Sequence, residues 1–68
     1  MMLEALKAKY KAEVMAAKVN IKVYLDNPVG IGEHPDLVSA VDSEISKLAE
    51  AEEKLLQIET LFGEYLSQ

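Results

Sequence analysis

Sixty-eight residues carrying a net charge of −5 make one small domain at most, and a chain this short buries only about 60% of its unfolded surface on folding. Domains of this size usually take a staple from disulfides, a metal or a partner chain. There is no cysteine and one histidine, which excludes disulfides, thiolate metal sites and a multi-histidine site within one chain, and leaves self-association.

Half the residues are hydrophobic and 28% are charged, a balance that suits a packed fold rather than disorder. The absence of cysteine fits a reducing compartment. The N-terminal residues alternate Lys7, Lys9 and Lys11 with apolar side chains, so no secretory leader is expected, and no apolar run approaches the roughly 18 residues of a membrane span. The charge is unevenly split. Residues 1–27 carry five lysines against three acids, whereas residues 28–68 carry Lys47 and Lys54 against nine acids. Two antiparallel helices attract each other through such a division. No arginine is present, and arginine is the usual residue for planar contacts to phosphate or guanine, so no nucleic-acid partner is expected.

The first periodic segment gives a helix over about 3–26, rich in Ala, Leu, Lys and Glu. Its first stripe is Leu3, Leu6, Tyr10, Val14, Ala17, Ile21 and Tyr24, which share one face at 100° per residue. A second stripe, Ala5, Ala8, Ala12, Met15, Val19 and Val23, falls on nearly the opposite face. Lysines 7, 11, 18 and 22 fill one seam between them; Lys9, Glu13 and Asn20 fill the other. A helix with two opposed apolar faces cannot bury both against one partner helix. One face takes the second helix of the chain. The other, with Ala8, Ala12, Met15, Val19 and Val23, is the expected contact between chains, where the alanines permit close approach.

The helix ends at Asp26-Asn27-Pro28, because Asn accepts the left-handed conformation of a helix C-terminus and Pro28 cannot continue it. The loop is 27–34. It holds Gly30 and Gly32 just ahead of a helix N-terminus, where backbone N–H groups attract phosphate. No strand precedes it and no third glycine follows, as a dinucleotide or P-loop motif requires. Gly30, Gly32 and His34, with Lys7, Lys11, Lys18 and Lys22, are the candidate anion-binding residues. The bland alternative is a compact turn beside a solvated lysine seam. His34 is expected to cap the next helix, not to bind metal, since zinc takes three or four ligands.

The second helix is expected over about 35–66, with Pro35 at its first position and Asp36 in its first turn. Its stripe is Leu37, Val41, Ile45, Leu48, Ala51, Leu55, Ile58, Phe62 and Tyr65, at a mean step near 3.5 residues, with every member apolar. Glu50 and Lys54 stand at i, i+4 in the favourable order. Gly63 frays the last turn. Glu52 and Glu59 edge the apolar face, but the Glu-x-x-His pattern of bundle metal sites is missing, and salt bridges to the lysines of the first helix are the better reading. The opposed apolar faces of the first helix also argue against a membrane-surface helix.

The run Asn27-Pro28-Val29-Gly30-Ile31-Gly32-Glu33-His34-Pro35-Asp36, between a lysine-rich Ala/Leu helix and the later Ala-Glu-Glu-Lys-Leu, resembles short uncharacterised proteins of tailed bacteriophages, especially T4-like phages of marine bacteria. The likeness rests on the loop, as the helices are generic. It implies a phage-encoded protein in the cytoplasm of a bacterial host or in a virion, and brings no active site or ligand with it.

The sequence therefore predicts an all-α protein, residues 1–68 forming an antiparallel two-helix hairpin that assembles into a helical bundle as a dimer or higher oligomer. The expected role is a non-enzymatic structural or interaction module, without catalytic residues, metal or cofactor, whose partners are copies of itself or another phage or host protein. The alternative is a protein that sequesters a small anionic, nucleotide-like ligand.

Overall fold

The computed structural model of the chain describes residues 1–27 and 36–66. Two α-helices account for them: α1, Met2–Asp26, with 25 residues, and α2, Leu37–Leu66, with 30. Residues of low number in α1 meet residues of high number in α2. Lys7 Nζ lies 3.5 Å from Glu59, Lys54 Nζ sits 5.2 Å from the centre of the Tyr10 ring, and Asn20 bonds Glu44. The helices are therefore antiparallel, and the hairpin measures 48 × 15 × 15 Å.

The caps correct two expectations. Asp36, not His34, caps α2: its Oδ1 accepts the Ser39 N–H at 2.9 Å and its carbonyl accepts the Ala40 N–H. Aspartate is among the preferred residues for this task because it satisfies an N–H that no earlier carbonyl can reach. Helix α2 thus begins at Leu37, while His34 and Pro35 lie outside the described residues. At the end of α1, Asn27 has φ −145°, not a left-handed angle, and its N–H still donates to the Val23 carbonyl at 3.0 Å. The helical hydrogen bonding runs one residue past the helix, which removes the need for a left-handed cap. Within α2, Phe62 leaves helical geometry at φ −125°, ψ 17°, a kink beside Gly63 where helix propensity is weakest.

The stripe of α1 from Leu3 to Tyr24 faces α2, and all seven members are buried or half-buried. The stripe of α2 departs from the sequence reading at one position. Glu44, only 9% exposed, takes the place expected of Ile45, which is exposed. Leu37, Val41, Glu44, Leu48, Ala51, Leu55 and Ile58 then alternate steps of four and three without a break, the spacing of a helix that packs along one seam. Beyond Ile58 the seam opens, and Phe62 and Tyr65 are exposed with their rings 6.2 Å apart.

The hairpin has little core of its own. Ala17, Ala51 and Ile58 are the buried apolar residues among those described. The accessible surface is 5132 Å², against roughly 4,200 Å² for a globular monomer of this mass. Two rods laid side by side leave most of each helix uncovered.

Candidate functional site

The second face of α1 stands clear of α2 along its length. Ala5, Ala8, Ala12, Met15, Val19 and Val23 are all exposed, with Met15 at 67%, Val19 at 58% and Val23 at 48%. The first stripe packs and the second does not, as two opposed faces require when only one partner helix is present. Large apolar side chains gain nothing from solvent exposure.

Beside this face lies a polar groove of about 360 Å³ between the helices, floored by Ala16 and Ala17 and walled by Glu13, Asn20, Glu44, Lys47, Glu50 and Lys54. Small residues on its α1 floor leave room that longer side chains would fill. Asn20 Nδ2 donates to Glu44 Oε1 at 3.1 Å, and Lys47 Nζ approaches the same oxygen at 3.4 Å. Glu44 Oε2 is buried and has no hydrogen-bond partner among the described residues. Lys54 is held 3.3 Å from Glu50, and hydrogen bonding to that carboxylate, reinforced by its charge, raises the ammonium above its ordinary value. A smaller recess is lined by Asn20, Val23, Tyr24 and Glu44, and shares Asn20 and Glu44 with the groove.

A different recess, on the other flank near the ends of α1 and α2 that face the loop, is almost wholly apolar. Tyr24, Leu25, Leu37, Val38, Val41, Asp42 and Ile45 line it, and the exposure of Leu25, Val38 and Ile45 follows from it.

Among the candidate anion-binding residues, the described lysines are spread along α1. Lys7 pairs with Glu59, and Lys22 with Asp26 at 3.4 Å. Lys7 and Lys22 are fifteen residues apart on one helix, about 22 Å along its axis. Gly30, Gly32 and His34 lie outside the described residues. Among the described residues, no three His, Cys, Asp or Glu side chains are placed to hold a metal ion, and no helix is long and apolar enough to cross a membrane.

The chain matches no protein-family model, no curated protein and no solved structure. The candidate site rests on this chain's own residues. Two of them, Asn20 and Glu44, escaped the sequence reading as a pair. The unbroken alternation of four and three through position 44 was the available signal, masked by the neighbouring apolar Ile45.

Proposed function

We propose that this protein is a non-enzymatic structural or protein-interaction module, a helical hairpin that completes its core by assembling with copies of itself into a helical bundle. The observation that carries this reading is the exposed second face of α1, where Met15, Val19 and Val23 have no covering element among the described residues. The scant core supports it, because a two-helix hairpin of this length holds too little buried apolar surface to be independently stable. The loop resemblance adds a setting, a phage-encoded component acting in the bacterial cytoplasm or in a virion, with another phage or host protein as a further partner.

The ligand-sequestering alternative has less behind it. Three carboxylates share the groove with two lysines, a poor reception for an anion, and the lysine seam of α1 is spread along the helix. Sedimentation equilibrium over a hundredfold range of concentration tests the proposal. A dimer or larger species is expected, with a thermal midpoint that rises with concentration. A monomer mass with a concentration-independent midpoint would refute it.

A further inference from the structure

The second face of α1 is graded in size. Its first half carries Ala5, Ala8 and Ala12; its second half carries Met15, Val19 and Val23. Two copies of α1 laid parallel would set alanine on alanine at one end and large on large at the other, splaying the helices. Laid antiparallel about a two-fold axis near residue 14, they set Ala5 against Val23, Ala8 against Val19 and Ala12 against Met15. The distance between the axes is then even along the contact, as close packing requires. A two-fold contact of this kind is self-complementary.

The same register makes a second match, independent of size. It places Lys9, on the groove-side flank of α1, across from Asn20 of the other copy. Asn20 is the residue that holds Glu44, whose Oε2 is buried without a donor among the described residues and whose side chain lines both the groove and the recess that includes Val23. A buried carboxylate oxygen without a donor is strongly unfavourable. Lys9 has no carboxylate partner among the described residues; its ammonium stands 6.0 Å from the ring centre of Tyr10. Opposite charges therefore meet where the sizes already match.

We infer that two copies of the chain pair through α1 in antiparallel register about an axis near residue 14, and that Lys9 of each closes the groove of the other and pairs with the Glu44 carboxylate, which turns to present an oxygen to it. Glu44 then fixes the orientation of the assembly, as single polar residues do in helical bundles. The inference rests on the proposed self-association and adds direction, register and an ion pair to it.

The absence of cysteine from the chain gives a clean test. Ala5→Cys and Val23→Cys are exposed substitutions, and an equimolar mixture of the two is oxidised mildly. The mixed 5–23 disulfide should dominate, because an antiparallel pair holds two copies of position 5 about 26 Å apart. A prevalent 5–5 disulfide overturns the register. Alongside it, Lys9→Met and Glu44→Gln should each raise the dissociation constant about tenfold, and the double variant should be little weaker than either alone. Single variants within twofold of wild type, or additive effects, overturn the ion pair. A monomeric wild type overturns the self-association itself, whereas an oligomeric wild type with 5–5 disulfides overturns only this arrangement.

Discussion

Asn20 Nδ2 donates to Glu44 Oε1 across 3.1 Å, tying α1 to α2 in the middle of the hairpin and occupying one oxygen of a buried carboxylate. The other polar approach to that oxygen, from Lys47, is longer at 3.4 Å and comes from the same helix. Asn20 therefore does what Lys47 cannot, which is to link the helices at a fixed register. Replacing Asn20 with Ala should destabilise the fold by about 1–2 kcal/mol, because Glu44 loses its best donor. Asn20→Asp should be worse, since it sets a second negative charge against the first. Urea unfolding at one fixed protein concentration checks the order; equal midpoints for wild type and Asn20→Ala would contradict it.

Asp36 caps α2 through its side chain. Asp36→Ala should remove about 1 kcal/mol, whereas Asp36→Ser should retain most of the stability, because serine also accepts an N–H at this position. Thermal unfolding followed by circular dichroism distinguishes the two. An alanine variant that melts with wild type would show that the cap is supplied by something else.

Gly63 has open space where a Cβ would stand, with nothing within 4 Å. Gly63→Ala should therefore stabilise the last turns of α2 by about 0.5–1 kcal/mol, through the lower backbone entropy of the unfolded chain and the better helix propensity of alanine. A raised melting midpoint and increased helicity are expected. A lowered midpoint would mean that the kink at Phe62 is required for packing.

Lys54 carries a pH signature. Its proton is held mainly by hydrogen bonding to Glu50, which raises its titration above the ordinary value of 10.5. The native state thus binds this proton more tightly than the unfolded chain does. The stabilisation is present in full below about pH 10.5 and is lost as pH rises through the native value. The pair is solvent-exposed, so the effect on stability is small and screened by salt. NMR titration of Lys54 should show a lower value in Glu50→Gln than in wild type. Identical titrations would remove the ion pair from the account.

Much of the hairpin was legible in the sequence because two periods were strong. Leu3 through Tyr24 marked the packed face of α1, and Ala5 through Val23 the uncovered one. The Glu50–Lys54 pair followed from spacing, and the pairing of Glu59 with a lysine of α1, Lys7, from its place at the edge of the apolar face. Position 44 was not legible. From Val41 a step of four reaches Ile45 and a step of three reaches Glu44, and both rejoin the stripe at Leu48. Hydrophobicity favours isoleucine, but the choice depends on what stands across the seam, and Asn20 on the other helix supplies a partner for a carboxylate. The cap of α2 was misplaced for a related reason: Pro35 is a good first helical residue, yet the side chain of Asp36 bonds the Ser39 N–H and starts the helix later.

Val19 gives the sharpest trial of the uncovered face. In the isolated hairpin it is 58% exposed, so aspartate there meets mainly water and should change hairpin stability by no more than about 0.5–1 kcal/mol. In an assembly that covers the face, the same carboxylate would be buried without a partner, which costs several kcal/mol. Dissociation is the cheaper response. Val19→Asp should then sediment as a smaller species than wild type, with reduced helicity because the lone hairpin has so little core. Lys18→Asp is the control. Its neighbouring side chain lies on the polar seam rather than the apolar face, and the variant should keep the wild-type mass. The comparison separates loss of a covered surface from a general effect of added negative charge, since both variants place an aspartate on the same turn of α1. If Val19→Asp keeps the wild-type mass and helicity, the face is not the contact between chains, and the exposed Met15, Val19 and Val23 need another explanation.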